Sequence, residues 1–171
     1  LTRFAPQRAT LAGDAVLQWR QAGAAPRATH VLLHGIGSAS GSWVRQLDAA
    51  AGQPVRVLAW DAPGYGTSDP VTADWPGADA YAERLWAWLD ALGAQAPITL
   101  VGHSLGALMA GRAALRAPAR VQRLVLLSPA GGAKAASARP ATVSAISTFF
   151  AKPAMKRNAP SENRSRPWRR L

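Results

Sequence analysis

A serine flanked by glycines is the residue in this sequence best suited to act as a nucleophile. Ser104 lies in Gly102-His103-Ser104-Leu105-Gly106, which has the Gly-x-Ser-x-Gly spacing of a sharp turn between a strand and a helix. Small residues two positions on either side let the strand and the helix approach, so the hydroxyl is exposed at the carboxyl edge of a sheet. A hydroxyl in that position can attack a carbonyl carbon. The alternative is a serine that only caps a helix in a glycine-rich turn.

A second glycine-rich turn could hold the negative charge that such an attack creates. His34-Gly35-Ile36-Gly37 follows a short apolar run, so this turn is predicted at the same edge of the sheet as Ser104. An oxyanion needs two fixed donors, and the backbone N–H groups of Ile36 and Leu105 are the predicted pair. The two glycines of the turn, Gly35 and Gly37, allow the loop to adopt the necessary backbone geometry, and they are assigned to the substrate pocket.

The sequence offers no clear partner to take the proton from Ser104. After Ser104 there is no histidine and no aspartate, and the one carboxylate side chain is that of Glu162. His34 and His103 are assigned to the substrate pocket rather than to the role of base, because His103 directly precedes the serine and is predicted to turn its ring away from the hydroxyl. An unassisted serine is a weak nucleophile, so this chain is expected to be inactive or impaired as an enzyme.

Predicted strands and helices alternate along the chain, and such an alternation would place both glycine-rich turns at the ends of strands. Short apolar runs that end in glycine or proline predict strands buried on both faces, and apolar residues at helical spacing from Tyr81 to Leu92 predict an amphipathic helix. This alternation predicts a three-layer α/β/α sandwich with a mostly parallel sheet. The predicted strands span residues 9–12, 16–20, 30–33, 55–60, 98–102 and 124–128, and the predicted helices span 42–51, 79–92, 105–116 and 142–151.

Charge divides the chain into two predicted parts. The net charge is +11, and residues 130–171 hold nine of the 20 basic side chains but one of the nine acidic ones. We therefore predict a core domain at 1–130 and a basic tail at 131–171 that is disordered or non-native.

The absence of cysteine excludes disulfides and thiolate metal sites, and neither a metal nor a cofactor is predicted. A cytoplasmic protein is expected, since no apolar run is long enough to span a membrane and the amino end lacks a signal-peptide pattern.

The order of these motifs resembles that of α/β-hydrolases of the esterase, lactonase and C–C hydrolase type. The resemblance covers about residues 9–130 and includes Ser42-Trp43 and the loop Asp61-Ala62-Pro63-Gly64-Tyr65-Gly66-Thr67-Ser68. It implies hydrolysis of an ester, thioester or lactone bond in a small-molecule acyl substrate, through a Ser104 acyl-enzyme. It also implies that Asp61 stabilises its loop as an acceptor, that Tyr65 forms a wall of the substrate pocket, and that His34 is structural.

In that family the acid and the histidine follow the serine, and their absence here has three interpretations. The first and preferred one is a truncated or frame-shifted reading frame, which leaves the sheet incomplete at its carboxyl-terminal side. Under this interpretation, neither a nucleic-acid nor a membrane partner is expected. The second is a non-catalytic relative whose basic tail binds an anionic partner, with Trp168 beside several arginines. The third takes residues 141–155 as a lid or a membrane-surface helix.

Overall fold

A six-stranded sheet organises the part of the chain that the computed structural model describes, residues 3–72, 74–94 and 97–130. The strands are β1 (Gln7–Thr10), β2 (Val16–Ala22), β3 (His30–Leu33), β4 (Val57–Trp60), β5 (Ile98–His103) and β6 (Val121–Leu127). Across the sheet their order is β1-β2-β4-β3-β5-β6. β1 pairs antiparallel with β2, and β2 with β4, while the other neighbours are parallel.

Helices lie on both faces of this sheet. On one face is α1 (Val44–Ala50), which follows a 3-10 turn at Ser40–Trp43. On the other are α2 (Ala78–Ala91) and α3 (Leu105–Arg116). The three-layer α/β/α fold predicted from the sequence is thereby confirmed. Within the described ranges, no helix has the length and apolar character needed to cross a bilayer.

Alternation along the strands divides the core into two apolar clusters. Leu33 and Leu58 pack with α2 and α3, whereas Leu32, the neighbour of Leu33 in β3, points to the other face and packs with α1. At the centre of the first cluster, the fully buried Trp88 lies edge-on to Trp19, with ring centroids 5.8 Å apart. A fully buried leucine in either cluster contributes about 1.5–3 kcal/mol. These clusters fix the ends of the strands that carry the glycine-rich turns.

The predicted strands and helices are present within the described ranges, with a few shifted ends. β6 begins three residues earlier than predicted, because Val121 and Arg123 pair with Ile98 and Thr99 of β5 across a register shift. The start of the first predicted helix is the 3-10 turn rather than α-helix. The helix predicted at 142–151 and the tail at 131–171 lie outside the described residues.

One part of the sheet is less covered than the rest. In the described ranges, α1 packs against β2 and β4, and no helix makes an extended contact with β5 or β6 on that side. A cavity of about 620 Å³ lies there between α1 and strand side chains that include Leu32, Val57, Val101 and Leu127. Apolar sheet surface is therefore accessible beside α1.

Candidate active site

The turn between β5 and α3 holds Ser104 in a strained backbone conformation. Ser104 has φ 53° and ψ −115°, a region that costs a non-glycine residue about 1–3 kcal/mol. Its N–H donates to the Leu127 carbonyl at 2.9 Å, and its own carbonyl accepts the Ala130 N–H at 3.2 Å. The end of β6 therefore fixes the serine backbone through both of its polar groups.

Two glycines allow backbone segments to pass close to this turn. A Cβ on Gly102 would lie 2.3 Å from the Gly106 carbonyl oxygen, and a Cβ on Gly106 would lie 2.2 Å from the Leu33 carbonyl oxygen. Cβ atoms essentially never approach other heavy atoms that closely. β5, α3 and the end of β3 can thus pack in this way only with glycine at both positions, which sets Ser104 beside the loop that follows β3.

Gly35 brings that loop into contact with the serine. A Cβ on Gly35 would lie 3.1 Å from Ser104 Cβ and 3.2 Å from His103 Nδ1. The next residue, Ile36, is 75% exposed. Among the described residues, no protein acceptor receives a hydrogen bond from the Ile36 N–H or from the Leu105 N–H at the start of α3. Amides without acceptors beside a serine are the donors that an oxyanion would require.

His34 lies under this loop with both ring nitrogens occupied. Its side chain is buried, Nδ1 is 2.8 Å from the Gly35 carbonyl oxygen, and Nε2 accepts the Ala62 N–H at 3.0 Å. Because a carbonyl can only accept, the ring is the neutral tautomer with its proton on Nδ1. Burial lowers the pKa of the His34 imidazole, which favours that neutral form. Nε2 therefore has no lone pair left for the proton of Ser104.

Asp61 holds the loop after β4, as the resemblance implies. The buried carboxylate accepts the Ser40 N–H at 2.5 Å and the side-chain amide of Gln18. The Asp61 carbonyl accepts the Ser68 hydroxyl at 2.7 Å. These bonds fix the loop from which the Ala62 N–H reaches His34. Asp61 acts as a framework acceptor.

A cavity of about 360 Å³ opens in front of Ser104. The structure brings five of the predicted site residues together on its wall, namely His34, Gly35, Ile36, His103 and Ser104. Three predicted residues do not line it. Tyr65 packs its ring against that of His34 with centroids 4.9 Å apart, so His34 rather than Tyr65 forms the wall. Gly37 lies in an exposed turn at φ 67°, and Leu105 belongs to the site only through its backbone at the start of α3.

Half of the residues that line this cavity were not predicted from the sequence as site residues. Ser38, Ser42, Trp43, Gln46 and Leu127 also line the cavity. Four of them come from the turn and the first helix after β3, because the chain continues around the cavity once it leaves the loop at Gly35. A signal was available, since Trp43 and Gln46 are three residues apart and share one side of a helical turn.

The cavity contains the Ser104 hydroxyl and free amide donors but no complete triad. Within the described ranges, its lining includes no carboxylate and no lysine or arginine. His30 lies at the amino end of β3, the opposite edge of the sheet from Ser104. No group of three or more His, Cys, Asp or Glu side chains that could hold a metal ion occurs among the described residues.

Comparison with known proteins places this chain in a family. The sequence model of a family described as serine aminopeptidase, S33 matches residues 24–169. A 2-hydroxy-6-oxononadienedioate/2-hydroxy-6-oxononatrienedioate hydrolase of Paraburkholderia phymatum is 39% identical over 111 residues, which are 63% of this chain and 38% of that protein. The chain thus spans less than half the length of the curated relatives that it matches.

Solved structures with a similar fold are also named as hydrolytic enzymes. A hydrolase from Pseudomonas aeruginosa is 32% identical with a TM-score of 0.62, over 72% of this chain and 46% of that one. A membrane phospholipase A described as a bacterial virulence factor is 27% identical with a TM-score of 0.67, over 75% of this chain and 40% of that one. Family match and fold agree, and the chain belongs to the α/β-hydrolases, in the family described as serine aminopeptidase, S33.

Proposed function

We propose that this protein is a serine hydrolase that cleaves an ester, thioester or lactone bond through an acyl-enzyme on Ser104. The observation that carries the proposal is the strained backbone of Ser104, φ 53°, held in contact with the Gly35 loop. Strain of this kind persists only where the surrounding structure imposes it, and it clusters at functional sites. A serine that merely capped α3 would not need it, and Ser104 makes no side-chain capping bond.

The chemistry follows from the groups around the cavity. Ser104 Oγ bonds to the substrate carbonyl carbon, and the Ile36 and Leu105 N–H groups donate to the oxygen that becomes negative. Collapse of this intermediate breaks the bond to the alcohol or thiol, which leaves with a proton. Water then attacks the acyl-enzyme, releases the acid and returns the proton to Oγ.

Proton transfer limits the rate that we expect. His34 is saturated by Gly35 and Ala62, and no carboxylate lines the cavity in the described ranges. The amide donors and substrate binding alone accelerate such a reaction about 10³–10⁴-fold over water, which is a small part of what a complete triad achieves. Acylation of Ser104 by an activated reagent is therefore the appropriate test for this chain.

A second candidate is cleavage of a carbon–carbon bond next to a ketone. It is favoured by the 39% identity to a protein named 2-hydroxy-6-oxononadienedioate hydrolase. The same amide donors could stabilise a ketone oxygen as it becomes negative, but the leaving carbon must then receive a proton. Turnover of a ring-opened 2-hydroxy-6-oxo acid without turnover of esters would favour this candidate over the first.

A fluorophosphonate probe tests the shared nucleophile. We expect slow stoichiometric labelling of the full chain, with the adduct on the peptide that contains Ser104 and no labelling of Ser104→Ala. Ser38→Ala is the matched control, because it removes a hydroxyl from the wall of the same cavity and should label like the wild type. Equal labelling of wild type and Ser104→Ala, or none in either folded protein, would contradict the proposal.

A further inference from the structure

We propose that His34 is a positioning residue that aims the oxyanion donor of Ile36 through the peptide bond between Gly35 and Ile36. The inference rests on the proposed function, because it assigns a further role in the same site. It goes beyond the structural role implied by resemblance, since it names the atom that His34 controls and the direction in which that atom points.

The geometry of a peptide bond carries the first step. The Gly35 carbonyl and the Ile36 N–H belong to one planar trans unit, and they point to opposite sides of it. His34 Nδ1–H donates to that carbonyl at 2.8 Å from the buried side of the loop. The Ile36 N–H must then point away from the ring; among the described residues it has no protein acceptor, and the adjoining Gly35 lies against Ser104.

The far end of the ring is anchored just as firmly. Nε2 accepts the Ala62 N–H at 3.0 Å, and Ala62 follows Asp61, whose carboxylate is fixed by Ser40 and Gln18. The ring of Tyr65 packs against one side of the imidazole. The imidazole therefore connects the loop after β4 to the loop after β3. Aligned hydrogen bonds of this kind also polarise one another, which strengthens the terminal donor.

Two isosteric replacements separate this role from simple packing. In His34→Asn the amide nitrogen occupies the position of Nδ1 and can still donate to the Gly35 carbonyl, whereas nothing reaches Ala62. In His34→Gln the amide reaches the position of Nε2 and can still accept from Ala62, whereas the Gly35 bond is lost. Both variants remove the ring from its contact with Tyr65, so their loss of packing is matched.

The measurement is the rate at which the fluorophosphonate labels Ser104 in the full chain, together with the free energy of unfolding. We expect His34→Asn to label within about threefold of the wild type and His34→Gln to label about 10- to 100-fold more slowly. The second loss stays below the roughly 10²–10³-fold cost of removing an oxyanion donor outright. Equal rates in the two variants, or rates that follow stability alone, would overturn the inference.

Two further outcomes keep this test separate from that of the proposed function. If the wild type labels at Ser104 and His34→Gln labels equally fast, the positioning role is wrong while the proposed function stands; if the wild type does not label, both are wrong. Long-range ¹H–¹⁵N NMR of the unmodified protein provides a readout that needs no variant. Neutral His34 must carry its proton on Nδ1, and a proton on Nε2 would overturn the inference.

Discussion

At the level of single residues, the candidate site places the Ser104 hydroxyl at an open cavity, above two buried side chains whose polar groups already have partners. Ser104 is fixed through its backbone and faces the cavity with its side chain. His34 and Asp61, which are both buried, form hydrogen bonds with the backbone of neighbouring loops. His34 and Asp61 therefore hold the loops around Ser104, whose own backbone is held by Leu127 and Ala130.

Burial of two histidines makes the stability of the protein depend on pH. Desolvation lowers the pKa of His34 and of His30, and the positive charge of Arg123 lowers that of His30 further. A histidine whose folded pKa lies below its unfolded value binds more protons when unfolded. Its contribution is fully present above the unfolded pKa near 6.5 and is lost as the pH falls through the folded pKa.

We therefore expect the free energy of unfolding in urea to decrease between pH 7.5 and pH 5. His30→Gln should flatten that dependence, because it removes one of the two groups while leaving the Ser104 site untouched. Urea denaturation curves at three or four pH values measure the effect. A free energy that is constant, or that rises on acidification, would show that the two histidines are not held in neutral form.

The sequence could predict these residues only in part, for a physical reason. Ser104, Gly35 and Ile36 are identifiable because steric demands restrict residue type at fixed spacing along the chain. The position of Tyr65 behind His34 depends on how two loops pack against each other, and no local pattern records that. The contacts of Trp43 and Gln46 with the cavity likewise depend on the path of the chain after the loop.

At the level of elements, the site depends on the close approach of α3 to the end of β3. A Cβ on Gly106 would lie 2.2 Å from the Leu33 carbonyl oxygen. Gly111 lies on the same helix with no atom within 4 Å of a Cβ placed there. The two glycines of α3 therefore have opposite roles, since one is required by packing and the other is not.

Alanine at these positions should change stability in opposite directions. Gly106→Ala should lower the free energy of unfolding by about 1–3 kcal/mol or more, because backbone must move to accept the methyl group. Gly111→Ala should raise it by about 0.5–1 kcal/mol, because alanine is the better helix former. Chemical denaturation of both variants measures this, and similar effects of the two substitutions would contradict the packing described for the turn.

The strands and helices were predicted well where their pattern is local. The run that forms β3 and the helix at Leu105–Arg116 have their predicted ends, because apolar periodicity and glycine mark both. β6 extends back to Val121 through Gln122 and Arg123, of which Arg123 pairs with Thr99 of β5 while Gln122 falls at the register shift. Such an extension is set by the neighbouring strand and cannot be recognised from the apolar run alone.

At the level of the whole molecule, the accessible apolar surface beside α1 should bind a hydrophobic dye. Ile98 and Leu100 belong to the core under α2 and α3, so alternation turns Thr99 and Val101 toward the other side of the sheet. Val101 lines the cavity between that side and α1. Anilinonaphthalene sulfonate is therefore expected to fluoresce with the folded protein.

A reciprocal pair of substitutions locates the dye on this surface. Val101→Thr should weaken the fluorescence and Thr99→Val should strengthen it, since each changes one methyl-sized group on the same face with little change in shape. Titration of the dye, with circular dichroism to verify folding, is the measurement. Fluorescence that both substitutions leave unchanged would show that the dye binds elsewhere.

The central claim is that Ser104 takes an acyl group from a substrate. It is tested most directly by mixing the full chain with p-nitrophenyl acetate, quenching in acid and mapping the acetylated peptide by mass spectrometry. The account predicts one acetyl group per chain, on Ser104, and none in Ser104→Ala. Acetylation of other residues only, or an unmodified Ser104 after release of nitrophenol, would contradict it.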